Sequence, residues 1–178
     1  CVNALSTEMT ATVRRDGGVH EMKFSRGEVT QQISKTRDMK RGESTGTRIE
    51  FRPDIEIFKN GVEFNEKTLL NRFREAAFLN RGLTIEYSNE KTGTKVNFQF
   101  NGGIADYVDY LAENRSNNYP TEPIYLEDAD GDIRVQVALL YSEEDDSILL
   151  SFANNIKTVD GGTHLTGFKK AMTRVVNA

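Results

Sequence analysis

The sequence predicts an α+β fold, and three observations carry that prediction. Alternating runs meet at an Asp-Gly step near the start, helix-period runs with start and stop residues follow, and the same succession begins again after residue 101. In "EMTATVRRDGGVHEMKFSRG", Met9, Ala11 and Val13 fall on one strand face and Thr10, Thr12 and Arg14 on the other. Asp16-Gly17-Gly18 is then the hairpin turn, because a tight hairpin needs positive φ at its tip. "VTQQISK" extends the sheet, "TRDMKRGESTG" is a polar, glycine-punctuated loop, and "TRIEF" at 47–51 is a further strand that stops at Pro53.

The stretch "FNEKTLLNRFREAAFLNRG" predicts a helix capped by Asn65 and ended by Gly82, with Leu69, Leu70, Phe73, Ala76, Ala77 and Phe78 at helical spacing. "LTIEYSNEKTGTKVNFQF" is a second hairpin, and residues 1–100 are expected to form one unit. A boundary near Asn101 opens a second unit, 101–178. It starts with a helix, "IADYVDYLAENR", striped by Ile104, Val108 and Leu111. Pro120 and Pro123 bracket a loop, "PIYLEDAD", "DIRVQVALLYS" and "SILLSFANN" supply strands, and a terminal helix carries Leu165, Phe168, Met172 and Val175 on one stripe. Thr163 is expected to cap that helix.

Composition bounds the function. With 178 residues, 37% hydrophobic and 28% charged, the chain has the make-up of a globular protein. No apolar run approaches the ~18 residues of a membrane span, and no basic-apolar-small leader pattern is present, so the cytoplasm is the default compartment. One cysteine, Cys1, excludes an internal disulfide and leaves no zinc spacing. A net charge of -4 excludes a free-standing basic DNA-gripping domain.

Several motifs carry less than they promise. "DADGD" lacks the glycine and glutamate spacing of a calcium loop. His164 has no carboxylate or nucleophile fixed beside it in sequence, His20 is an exposed strand residue by its pattern, and Glu143 to Asp146 is an expected hairpin tip.

"FANNIKTVDGGTHLTGFKKAM" is different, because its length makes coincidence untenable. It resembles the point where the transducer of type II DNA topoisomerases enters its long helix, and "CVNALS", "STGTRIEFRPD", "FLNRGLTI" and "FNGGIADYVDYL" match the same family in order and spacing. "NNI" before "DGGTH" and the "FREAAFLNRGL" helix end are more like the bacterial DNA gyrase B branch than the corresponding chain of topoisomerase IV.

The resemblance implies that 1–100 is the C-terminal part of a GHKL-type ATPase α/β sandwich. It makes 101–178 the truncated first part of a transducer like ribosomal protein S5 domain 2. It implies that Thr47 helps read the adenine amino group through a water and an aspartate, that Gly46 lets the backbone pass close by, and that Ile49 floors the pocket. Arg15 matches an arginine at the pocket mouth where inhibitors of the family bind. Lys169, Lys170 and Arg174 form a basic helix side, either facing a DNA cavity or simply solvated.

The family's general base, its magnesium-binding asparagine and its phosphate-cradling lid fall upstream of residue 1, and its γ-phosphate lysine downstream of residue 178. The expectation is therefore that this stretch contains no catalytic residue and no metal ligand, and is inert alone. ATP and Mg2+ are the implied cofactors of the longer protein. DNA and gyrase A are its implied partners, in an A2B2 assembly whose ATPase regions dimerise. The ATPase chain of topoisomerase IV, a decatenating enzyme, is the first alternative, and a non-catalytic domain of another GHKL protein the second.

Overall fold

The structure is a computed structural model that describes all residues, Cys1–Ala178. Contacts divide it into two units, Cys1–Phe64 and Asn65–Ala178. All strand pairing is antiparallel.

In the first unit, β1 (Ser6–Arg15), β2 (Gly18–Ser25), β3 (Glu28–Asp38) and β4 (Gly46–Pro53) form one sheet in the order β3-β2-β1-β4. The β1–β2 turn is Asp16-Gly17, with φ of 52° and 73°, the doubly positive geometry of the tightest hairpins. β3 runs to Asp38, so the loop expected from residue 36 begins only at 39. Backbone pairing of Val19 with Arg37 and of Gly18 with Asp38 holds those polar residues in the sheet.

A second turn, Arg26-Gly27, carries a buried anchor. Asp54, 2% exposed, accepts from Arg26 Nε at 2.8 Å and from the Glu56 backbone N–H at 2.9 Å. Its own N–H donates to the Leu5 carbonyl, and the Arg26 N–H donates to that of Ser6. A carboxylate withdrawn from water needs such partners, so this one residue ties three chain segments together.

The second unit contains α1 (Glu66–Leu79), β5 (Ile85–Ser88), β6 (Lys95–Phe98), α2 (Ile104–Ala112), β7 (Tyr119–Asp130), β8 (Ile133–Tyr141), β9 (Phe152–Ala153), β10 (Ile156–Lys157) and α3 (Thr163–Val176). Asn65 caps α1, its Oδ1 accepting from the Thr68 N–H at 2.9 Å. Glu66 receives Tyr87, Asn89 and Thr92 on one carboxylate oxygen, pinning the β5–β6 hairpin to the helix start. These hydrogen bonds, the one from Asn89 foremost, hold its pKa below the usual carboxylate value.

Phe78, 1% exposed, is the centre of the core. Phe100 stacks on it at 3.6 Å and Tyr107 at 4.8 Å between ring centroids, and the Arg74 guanidinium lies 5.0 Å over the Tyr110 ring. Two glycines admit α2 to this stack. The Gly102 N–H donates to Asp106 at 2.8 Å, where an added Cβ would collide with that carboxylate, and Gly103 turns the chain with φ of 65°. β5 and β6 form their own two-stranded sheet and α1 packs on α2, so contacts group residues 65–100 with the segment that follows them.

Several expected elements differ. Pro120 and Pro123 lie inside β7, where pairing jumps from Tyr119–Tyr141 to Ile124–Leu139 and leaves the residues between them without a ladder partner to satisfy. Residues 148–151 are not a strand. Ile148 and Leu149 are about half exposed and find no strand to pair with, so apolar alternation alone could not make one.

The acidic run 143–146 is no hairpin tip, because β8 pairs only with β7. Arg115 instead clamps it, with Nη2 at 2.9 Å from Asp146 Oδ2. α2 stops at Ala112 and not at Arg115. His20 is half-buried rather than an exposed strand residue.

Candidate functional site

The register of β1 against β4 assembles the candidate nucleotide face. Thr47 lies opposite Val13, Ile49 opposite Ala11, and Phe51 opposite Met9. Directly paired residues share a face, and side chains alternate along a strand, so Arg15, Val13, Thr47, Ile49 and Phe51 project from the same side. Gly46 pairs with Arg14 and belongs to the opposite side. Its contribution is a backbone without a side chain, and an added Cβ would lie 3.3 Å from Arg14 Nη2.

This face is open. Thr47 is exposed and its hydroxyl bonds no residue of the chain; Ile49 is 49% exposed. The arrangement offers a free donor and acceptor beside an apolar floor, which suits a flat heteroaromatic ring carrying polar edges. Arg15 pairs only with Asp16, at 3.6 Å and with both side chains in solvent, so its charge stays available. Beyond Phe51 an apolar cleft of about 340 Å³ opens, lined by Val2, Leu5, Pro53, Phe58 and Phe64, with Phe64 meeting Phe51 edge-on.

The loop that delivers the chain to Gly46 is held by residues that sequence reasoning did not single out. Glu43 takes both guanidinium nitrogens of Arg37, at 2.7 and 2.8 Å, and the Lys40 backbone N–H at 2.9 Å. These bonds, the Arg37 pair first, hold its pKa down at about 2. Arg14 Nε donates to the Ser44 carbonyl at 3.1 Å. The signal in the sequence was weak, since nothing in "RDMKRGE" fixes which cation folds back on the glutamate.

At the other end of the chain, α3 begins from Gly162, not from a threonine cap. Thr163 is its first helical residue and no side chain caps it, which corrects the expected role of that hydroxyl. His164 Nε2 lies 3.3 Å from Thr158 Oγ1, which also meets Ser151 Oγ at 2.6 Å, so this histidine docks the helix start on the β9–β10 ribbon. Leu165, Phe168 and Met172 are half-buried, while Val175 is 69% exposed. Lys170 and Arg174, one turn apart, share the side opposite that stripe; Lys169 borders it, and all three are exposed.

The stretches containing "FREAAFLNRGL" and "NNI" meet in space. Asn155 Nδ2, in the β9–β10 turn, donates to Asn80 Oδ1 at the end of α1 at 2.8 Å.

The architecture defines a class. The structure matches the 43K ATPase domain of Thermus thermophilus gyrase B, solved in complex with an aminocoumarin. That match has a TM-score of 0.86 and 38% identity, and covers 98% of this chain and 47% of that one. It also matches the topoisomerase IV ATP binding domain of Francisella tularensis, solved with a small molecule inhibitor. Here the TM-score is 0.79 and the identity 34%, with 94% and 44% of the two chains covered. The mixed α and β fold is thus that of the GHKL ATPase regions of type II topoisomerases.

In sequence, the DNA gyrase B protein of Haloferax volcanii is 46% identical over 177 residues, 99% of this chain. The profile of the DNA gyrase B family matches residues 103–178. The chain belongs to the DNA gyrase B family. It spans 27% of the length of the Haloferax relative.

Proposed function

We propose that this stretch forms the adenine-side wall of an ATP site and the first half of a transducer. The longer protein carrying it would be the ATP-hydrolysing chain of a gyrase-type topoisomerase. The observation that carries the reading is the shared face of Arg15, Thr47 and Ile49, within a chain that is similar over 99% of its own length to a part of a gyrase B relative.

In this reading Thr47 hydrogen-bonds toward the adenine amino group through water, Ile49 meets the ring, Gly46 keeps the backbone close, and Arg15 guards the mouth. Residues 1–100 belong to the nucleotide-binding domain and 101–178 to the transducer, and the start of the family match at residue 103 supports that division. Lys169, Lys170 and Arg174 would face the phosphates of a captured DNA duplex.

No three His, Cys, Asp or Glu side chains gather into a candidate metal site. The family resemblance assigns Mg2+ and the hydrolytic chemistry to residues outside this stretch, which would be inert alone. When bound, ATP supplies the free energy of a closure that the whole enzyme couples to passing one DNA duplex through another. DNA and gyrase A are the proposed partners, in an A2B2 assembly that closes through dimerised ATPase regions. The cytoplasm, at the nucleoid, is the proposed site of action; no helix here is long and apolar enough to cross a membrane.

The ATPase chain of topoisomerase IV is the second reading, favoured by the Francisella likeness. One experiment separates them. The full-length protein is reconstituted with its own gyrase A-type partner and given relaxed and catenated DNA with ATP, and residues 1–178 alone are assayed for ATP turnover. Negative supercoiling by the complex, with no turnover by the short chain, supports the gyrase reading. Decatenation without supercoiling selects topoisomerase IV, and turnover by residues 1–178 alone refutes the assignment of residues.

A further inference from the structure

We infer that the Asn80–Asn155 hydrogen bond is a positioning contact through which the end of α1 sets the β9–β10 ribbon, and so the start of α3. It thereby couples nucleotide state to DNA work without touching the nucleotide. The inference rests on the function proposed above, in which α1 belongs to the ATPase domain and β9, β10 and α3 to the transducer.

The local hydrogen bonds set the polarity of this bond. Asn80 sits at the C-terminal end of α1, where its backbone N–H and its side-chain Nδ2 both donate to the Ala76 carbonyl, at 3.2 and 2.8 Å. A helix end leaves carbonyls in need of donors, so the amide of Asn80 is oriented by its own helix. With Nδ2 turned to Ala76, Oδ1 faces outward, and Asn155 Nδ2 donates to it across 75 residues of sequence. Asn155 is held in place in turn, because Asn154 and Asn155 have φ of 49° and 66° in the tight turn between β9 and β10.

The far end of the ribbon continues the path. Thr158 donates its N–H to the Ser151 carbonyl, exchanges hydroxyl contacts with Ser151 and meets His164 in the first turn of α3. The other links at the end of α1 are of a different kind. Arg81 to the Asn101 carbonyl and Gly82 to the Phe100 carbonyl join segments about one hairpin apart and fix the joint itself. The asparagine pair reaches across to the ribbon through side chains alone, so it can open and close without breaking a backbone hydrogen bond of α1 or of the ribbon. Such a contact can bias a two-state element.

The same geometry supplies a discriminating test. Asn155→Asp keeps the size and the tolerance for positive φ but removes the donor, whereas Asn155→Gly keeps the turn and removes the side chain. Asn80→Asp loses the donor to Ala76 yet keeps the acceptor for Asn155. Each is built into the full-length protein, which is then reconstituted with its gyrase A-type partner. The measured quantities are supercoils introduced per ATP hydrolysed, kcat and KM for ATP without DNA, and thermal melting.

Both Asn155 variants are expected to lower supercoils per ATP by about two- to ten-fold, the effect of one hydrogen bond, with DNA-free kcat and KM within about two-fold of wild type. Asn80→Asp is expected to melt earlier but to stay coupled. Wild-type coupling in both Asn155 variants overturns the inference, as does an Asn80→Asp enzyme uncoupled like Asn155→Asp, which would reduce the pair to a stability contact. A wild-type complex that does not supercoil overturns the functional reading itself, and the two failures are distinguished by that control.

Discussion

Thr47→Val isolates the most specific element of the candidate site. Valine keeps the β-branched shape that suits β4 and replaces one hydroxyl by a methyl group. In the structure that hydroxyl is exposed and makes no bond within the chain, so its removal breaks nothing in the fold. Stability should therefore stay within about 0.5 kcal/mol of wild type, the usual range for a surface change away from special features. If the hydroxyl bonds the nucleotide through water, its loss costs about 1 kcal/mol of binding, or about five-fold in Kd. The assay is calorimetric titration of the longer ATPase region with a non-hydrolysable ATP analogue, beside a urea melt of each variant. An unchanged Kd would refute the pocket role of Thr47, and a fall in stability matching the fall in affinity would show that the side chain serves the sheet instead.

The core and the loop before β4 give two more. Phe78→Ala should destabilise the protein by about 3–5 kcal/mol, because a ring 1% exposed and stacked on Phe100 and Tyr107 leaves a cavity that its neighbours cannot fill. A urea melt showing less than about 1 kcal/mol would place the core elsewhere. Glu43 has its folded pKa lowered from 4.5 to about 2, so its contribution is complete above the unfolded value and is lost as pH falls from about 4.5 toward 2. Protection of the amides of residues 39–45 against hydrogen exchange, taken relative to the intrinsic rate at each pH, should fall across that window, and Glu43→Gln should reduce that pH dependence; a flat protection profile in the wild type would contradict the Arg37 pairing.

Much of this protein is local and therefore readable in its sequence. The Asp16-Gly17 turn, the Asn65 cap and the strand 47–51 follow from backbone sterics and from the hydrogen-bonding needs of chain ends, which involve only a few neighbouring residues. Family membership was readable for another reason, because long stretches such as "NNIKTVDGGTHLTGF" are specific as words.

The failures share the opposite cause. Residues 148–151 look like a strand but find no pairing partner, while Pro120 and Pro123 look like breakers but fall where the ladder needs no donor. Propensity states what a segment can do, and pairing decides what it does.

The site divides in the same way. The sequence by itself determined that Thr47, Ile49 and Arg15 were candidates and that Asn80 and Asn155 lay in informative stretches. Only the tertiary structure decided that the first three share a face, through the Val13–Thr47 register, and that the two asparagines meet across 75 residues. The physical reason is that register and long-range contact depend on how distant segments are brought together, and no local preference encodes that choice.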